Sequence, residues 1–489
     1  MSAPNIILII IDSLNKSYLG CCGNSWVKTP NLDNLAKESI LFTKAYAESL
    51  PTIPVRKALF TGTRTFPFRN HEAYKGNDFT GAPGWGPIPE EKDTISEILR
   101  EFSYRTMLIT GTYHLFKPSH NFQRGFDEWI CIRGQEVDRY RARPQPESEK
   151  VLKHIPENLR TKTRKVVSSP LNEDSHVYFH QEYLKNVAER HYEEGYFPAK
   201  VFREAAKSLE RNRDAKQIFM VIDSFDPHEP WDPPKYYREI YDKNEEAVDF
   251  LSSVYGSSKM FSESDLNRLR ANYAGEVTLV DHWLGFFIEQ LKILGLFDDT
   301  LLIVVSDYGH NIGEHNIVGK QGYPMTREVA DLVLMIRYPK GIGKGTVCDK
   351  YVYNFDIPTT ILSALGIKDI KTMEGKDIWS LISGKAESLY DHVTCGWGPF
   401  VMVRDNKYWY NDYIWGEAPL LYDLESDPNL TTNIADKYPD LCEKFCGLAI
   451  VDAGGNFPEY LKGLKGDPGC TPLLTSKQLS QFRKNNSPG

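Results

Sequence analysis

Residues 5–12 read Asn5-Ile6-Ile7-Leu8-Ile9-Ile10-Ile11-Asp12. Six aliphatic residues in a row, five of them β-branched, suit a strand buried on both faces; a strand with one wet face would alternate. The run is too short to span a bilayer, and no leader-type cleavage site follows it. It ends on a carboxylate, Asp12. Runs of similar texture recur at 106–110, 217–223, 300–306 and 331–337. Helical patterns lie between them. Thr29-Pro30 places an N-cap before a first-turn proline, with Leu32, Leu35 and Ala36 on one face. A second helix is predicted at 94–101. A long amphipathic stretch at 262–294 carries Leu279, Leu284, Phe287 and Leu291 in its later turns. Asp356-Ile357-Pro358 opens another helix through Leu365.

Strands alternating with helices predict an α/β fold, a large mostly parallel sheet sandwiched by helices. We assign this domain to residues 1–375. Beyond it, 401–404, 408–410 and 420–424 read as short antiparallel strands with turns such as Asp405-Asn406. Residues 376–489 are therefore expected to form a smaller C-terminal α+β domain, frayed beyond 476. Segments 79–91 and 133–170 read as loops that shape a leaving-group pocket, with Trp85, Arg139, Tyr140 and Arg143 as its candidate grips. The aromatic stretch 409–415 is read as exposed, which would allow an oligomer contact.

The chain has 489 residues, enough for two domains. Its net charge of −8 argues against a nucleic-acid partner, and no stretch predicts membrane insertion. None of the eight cysteines forms a CxxC pair, so neither a zinc knuckle nor a disulfide framework is expected. Cys442 and Cys446 fit one helix face. Reduced thiols point to a cytoplasmic location.

Ligands of such sheets sit beyond the carboxyl ends of the strands. Asp12 and Asp307 fall there, and Asp226-Pro227-His228 follows the run 217–223. Two carboxylates at neighbouring strand ends suit a hard divalent cation. Thr52-Ile53-Pro54-Val55-Arg56 adds a hydroxyl and a guanidinium. With a helix starting near Pro54, Arg56 folds back beside Thr52 at an end that favours an oxyanion. Taken alone, these five residues read more readily as an N-cap threonine and a surface arginine.

Together the blocks resemble the sulfatases of the alkaline phosphatase superfamily, in the family's order and over nearly the whole chain. Ile11-Asp12, Gly20-Cys21-Cys22-Gly23-Asn24 and Thr29-Pro30-Asn31-Leu32-Asp33 look like its opening. Thr52-x-Pro54-x-Arg56 with Thr61-Gly62 matches the C/S-x-P-x-R signature. Gly111-Thr112-Tyr113-His114, Asp226-Pro227-His228-Glu229-Pro230, Ser306-Asp307-Tyr308-Gly309 and Gly313-Glu314-His315 with Lys320 match later blocks. The resemblance implies an enzyme, a metal-dependent ester hydrolase. Asp12, Asp307 and Thr52 would bind one divalent metal ion, calcium by the resemblance, with manganese or zinc as alternatives. Thr52 would be the nucleophile, Arg56 would hold Thr52 and the anion, and His114, His228 and Lys320 would contact the transferred group or leaving oxygen. His315 reads equally as structural, and His120 and His310 as plain surface or loop histidines.

Four positions depart from the family pattern. Ser13 stands for a second Asp, Thr52 for the cysteine that becomes formylglycine, Thr112 for a Lys, and Tyr308 for a His or Asn ligand. Ser13 and Tyr308 are the weaker metal-ligand candidates. Formylglycine arises by oxidising a CH₂ group, which threonine lacks. A phosphorylated threonine, unlike a sulfated one, has a hydrolytic exit by attack of water at phosphorus. The leading expectation is therefore a small phosphodiester or phosphonate or phosphate ester substrate, of a sugar or aryl alcohol. The alternatives are a sulfate-ester hydrolase working without formylglycine and an inactive anion-binding protein.

Overall fold

The computed structural model describes residues 3–69, 83–116, 119–157, 159, 175–252, 254–367 and 371–462. The apolar run of the N-terminus is strand β1 (Asn5–Ile11), with Ile6 through Ile11 all buried. In chain order there follow β2 (Ile40–Tyr46), β3 (Arg105–Thr110), β4 (Glu128–Cys131), β5 (Ile218–Ser224) and β6 (Gly256–Ser257). Next come β7 (Thr300–Ser306), β8 (Asn311–Ile312), β9 (Ile317–Gly319), β10 (Asp331–Leu332), β11 (Leu334–Arg337) and β12 (Val347–Tyr353). The last are β13 (Val393–Trp397), β14 (Phe400–Arg404), β15 (Tyr408–Tyr413) and β16 (Leu420–Asp423).

The large sheet runs β10-β2-β11-β7-β1-β5-β3-β4, with β12 paired to β2. Strands β7, β1, β5, β3 and β4 are mutually parallel, whereas β11 joins β7 and β2 antiparallel. The two faces of β1 feed two cores, as its unbroken apolar run requires. Ile7, Ile9 and Ile11 pack with Leu32, Phe202, Leu279 and Phe287 of helices Pro30–Lys37, Phe197–Arg211 and Glu263–Ile293. Ile6, Leu8 and Ile10 pack with Ile53, Leu59, Leu99 and Ile361 of helices Thr52–Thr61, Ile95–Glu101 and Asp356–Ala364. The long helix starts with a capping box: Ser262 accepts from the Asp265 amide, and Asp265 accepts from that of Ser262.

Strands β13 to β16 form an antiparallel meander. One face, with Val401, Val403 and Tyr410, packs on Phe445 and Ala449 of helix Pro439–Asp452. The other, with Met402 and Trp409, joins the core of the large sheet. This placement corrects the expected aromatic contact surface: Trp409 and Tyr410 are 0% and 1% exposed, because the strand is covered on both sides. Helix Ser148–Leu152 likewise interrupts the expected loop 133–170. Residues 79–82 and 160–170 and the tail beyond 476 lie outside the described residues. Among those described, no helix is long and apolar enough to cross a membrane.

Candidate active site

Parallel register brings the predicted groups together. Ile11 lies opposite both Ser224 and Ser306, so Asp12 and Asp307 leave the sheet side by side. Ser13 takes a left-handed backbone (φ 56°), and its amide donates to Asp307 Oδ1 at 2.8 Å. The Tyr308 amide donates to the same oxygen at 2.8 Å. Glycine follows at 309 because a Cβ there would meet the Glu328 carbonyl at 2.0 Å.

Helix Thr52–Thr61 points its N-terminus at these strand ends, and every residue in its first turn is buried. The Thr52 hydroxyl and the Tyr308 phenol share a hydrogen bond of 2.9 Å. Arg56, fully buried, commits all five of its N–H donors to the protein. Nε and Nη2 grip Asp223 side-on at 3.1 and 2.8 Å. Nη1 donates to Asp307 Oδ2 at 2.6 Å and to the Thr52 carbonyl at 3.1 Å. The second Nη2 donor reaches Thr112 Oγ at 3.3 Å. Burial works against this charge, but Asp223, Asp12 and Asp307 outweigh it and raise the arginine pKa well above its ordinary value.

Asp12 Oδ2 lies 3.0 Å from Arg56 Nη2 yet has no hydrogen-bond partner; its other oxygen accepts from Ser13 Oγ at 2.9 Å. Burial, then the charge of Asp307, pushes the Asp12 carboxyl up to about 7. A buried carboxylate oxygen without a donor, among three aspartates facing one guanidinium, lacks positive charge. That is the deficit a hard cation fills. Among the described residues no three acid, thiol or imidazole side chains converge into a ready cage. Asp12 and Asp307 would therefore be joined by the Thr52 hydroxyl, with Ser13 and Tyr308 as further oxygens. Burial, then Asp12 and Asp307, raises the Tyr308 phenol well above its usual range.

On the other side, Lys320 Nζ reaches His228 Nε2 at 2.5 Å, Glu229 Oε2 at 2.8 Å and Ser13 Oγ at 3.4 Å. Glu229 also accepts from Tyr255 at 2.6 Å and meets His310 Nε2 at 3.0 Å. Burial opposes its charge, yet Lys320 and His310 hold it well below the usual carboxylate range. Glu136 joins the two histidines. Its Oε2 meets His114 Nε2 at 3.0 Å and accepts from Tyr113 at 2.8 Å, and its Oε1 is 3.4 Å from His228 Nδ1. Trp85 sets its edge against His114 at 5.3 Å, and Phe225 stacks on His228 at 4.3 Å.

Asp12, Ser13, Thr52, Arg56, Thr112, Asp307, Tyr308, His228, Lys320 and His114 thus belong to one buried network. Asp223, Glu136, Glu229 and Tyr255 are members the sequence reading missed. A charged residue closing an otherwise apolar strand was the available signal for Asp223. His310 and His120, expected as surface or loop histidines, do lie in loop segments but are 0% and 1% exposed, because His310 anchors Glu229 and His120 bonds the His114 carbonyl at 2.7 Å. Of the expected grips, Tyr140 is 40% exposed and Arg143 pairs with Glu189, so only Trp85 touches the network.

The family model described as Sulfatase matches residues 4–367, and that described as N-sulphoglucosamine sulphohydrolase, C-terminal, matches 313–444. An arylsulfatase of Clostridium perfringens is 25% identical, covering 96% of this chain and 98% of that protein. The multifunctional alkaline phosphatase superfamily protein PehA of Trinickia caryophylli is 23% identical, over 89% of this chain and 92% of its own. The fold matches the phosphonate monoester hydrolase of Agrobacterium radiobacter with TM-score 0.66 at 20% identity, covering 97% of this chain and 98% of that one. It matches a putative sulfatase from Bacteroides fragilis with TM-score 0.68 at 21% identity, over 95% and 98%. The chain belongs to the sulfatase family of the alkaline phosphatase superfamily and is an ester hydrolase.

Proposed function

We propose that this enzyme hydrolyses a phosphate diester or a phosphonate or phosphate ester, with Thr52 as nucleophile and one divalent cation on Asp12, Asp307 and Thr52. The observation that carries this reading is the Thr52 hydroxyl. It sits buried at a helix N-terminus and bonds the phenol of Tyr308, while its residue's carbonyl shares Arg56 Nη1 with Asp307, and its branched carbon excludes formylglycine. Calcium is the cation suggested by resemblance, with manganese or zinc as alternatives. Bound, the cation would neutralise the anion's oxygens and acidify the hydroxyl. Thr52 would lose its hydroxyl proton to solvent water and its Oγ would bond to phosphorus as the ester's P–O bond breaks, and the leaving alcohol would take its proton from the Lys320–His228 pair or from His114, which solvent then reprotonates. Water would then cleave phospho-Thr52, returning the hydroxyl. The substrate is a small anionic ester of a sugar or aryl alcohol, a reading supported by the similarity to sulfatases and phosphonate hydrolases.

A second reading is sulfate-ester hydrolysis by direct attack of water, favoured by the arylsulfatase relative. The test is turnover of an aryl phosphate diester, a phosphonate monoester and an aryl sulfate with calcium, manganese or zinc. Diester or phosphonate turnover that falls on the order of 10³-fold or more in Thr52→Ala, and largely survives in Thr52→Ser, supports the leading reading. Turnover indifferent to Thr52→Ala rejects the nucleophile. Sulfate turnover alone selects the second reading, and saturable anion binding without turnover rejects both.

A further inference from the structure

Both full positive charges of the network are already occupied. Arg56 has no N–H left for a ligand, and three carboxylates surround it. Lys320 uses its three donors on His228, Glu229 and Ser13. Five carboxylates, Asp12, Asp223, Asp307, Glu136 and Glu229, stand against these two cationic side chains, so a divalent cation on Asp12 and Asp307 would still leave the set with one net negative charge. The remaining titratable groups facing them are His114, His228, His310 and the phenols Tyr113, Tyr255 and Tyr308, and the neutral hydroxyls of Ser13, Thr110 and Thr112 complete the set. Asp223 decides this balance for Arg56. It takes the fork that would otherwise present two parallel N–H groups to an anion. It is itself held in place by Thr110 Oγ at 3.1 Å and lies within β5, opposite Thr110.

We propose that Asp223 is a specificity-determining residue: by occupying Arg56 it leaves too little free positive charge for a doubly charged tetrahedral group, so the site takes singly charged ones. This rests on the anion-transfer reading above and narrows it to diesters and phosphonate monoesters, against phosphate monoesters. Coulomb energy scales with the ligand's charge, so a change of one unit on a buried neighbour acts twice as strongly on a dianion as on a monoanion. Neutralising Asp223 frees the Arg56 fork and moves the balance by that unit. A cation at position 112, whose hydroxyl already touches Arg56, moves it the same way without altering Asp223.

The experiment uses the full chain with saturating calcium or manganese at pH 8. Binding of methanesulfonate and of sulfate is measured by calorimetry. Both ions are tetrahedral at sulfur and differ by one charge, and comparing variants cancels their difference in hydration. The wild type is expected to prefer methanesulfonate. The sulfate-to-methanesulfonate ratio of Kd should fall at least tenfold in Asp223→Asn and in Thr112→Lys. An unchanged ratio in the folded variants, wild-type preference for sulfate, or binding of neither ion overturns the proposal. Should Asp223→Asn fail to fold, Thr112→Lys decides. Diester turnover with an unmoved ratio defeats this proposal alone. A shifted ratio without any ester turnover defeats the proposed hydrolysis and leaves the charge selectivity standing.

Discussion

Lys320 Nζ and His228 Nε2 lie 2.5 Å apart. An ammonium only donates, so Nε2 is the acceptor and the histidine proton sits on Nδ1. That nitrogen lies 2.7 Å from the Glu229 carbonyl. Burial first, and Lys320 next, lower the His228 pKa below its ordinary value.

His228 should therefore remain neutral to a lower pH than an ordinary histidine near about 6.5. A depressed folded pKa contributes stability that is present above the unfolded value and is lost as pH falls through the folded one. Nitrogen-15 shifts of the ring should report the Nδ1–H form at neutral pH, and a titration midpoint at or above the ordinary value would show that burial and Lys320 do not disfavour the charged ring.

Glu136 should set the chemistry of both histidines. Its backbone is left-handed (φ 44°), a conformation rare for a residue with a Cβ, and one that the surrounding fold must hold. Glu136→Gln should lower kcat by about 10- to 100-fold, part of what general acid–base catalysis contributes. KM should move little. His228 should titrate lower still, because the carboxylate raises its pKa. A pH–rate profile superimposable on that of the wild type would reduce Glu136 to a packing residue.

Divalent cation should stabilise the fold by mass action, by about 2.7 kcal/mol at a hundred times its Kd. The effect appears as a rise in Tm. Asp12→Asn should shrink it, since Asp12 Oδ2 is the buried oxygen without a donor. An equal rise in both proteins would place the cation elsewhere.

Ser262→Ala removes the cap of helix Glu263–Ile293. Loss of such a cap costs about 1 kcal/mol, read as a lower denaturant midpoint. Ester turnover should not change, because the cap is exposed and no hydrogen bond links it to the site.

The central strands were legible because burial on both faces writes itself as unbroken apolar runs, as in β1 and β7. Strands β2 and β12 were not. Thr43, Lys44, Asp349 and Lys350 are part of a sheet margin that water reaches, and their polarity hides the strand. Asp12, Thr52, Arg56 and Asp307 were legible as strand-end and helix-start residues in sequence blocks. Glu136 was not, since it lies in an irregular polar segment and meets His114 and His228 only through tertiary folding. His310 looked like a spare histidine because its partner Glu229 is 81 residues away.

The meander after residue 392 buries one face on helix Pro439–Asp452 and lends the other to the core of the large sheet. Trp397 of β13 faces Tyr308 at 6.2 Å between ring centres, and Met402 and Trp409 share a core with Ile303 and Val305 of β7. Heat or denaturant should accordingly meet one cooperative unit across both sheets, with a single transition by fluorescence and circular dichroism. A truncation at residue 375 would uncover the core of the large sheet that Trp397, Met402 and Trp409 help to fill, next to the Tyr308 that follows Asp307. The fragment would be left with an aggregation-prone surface and a tyrosine without its wall, so the smaller sheet acts as a buttress for the chemistry.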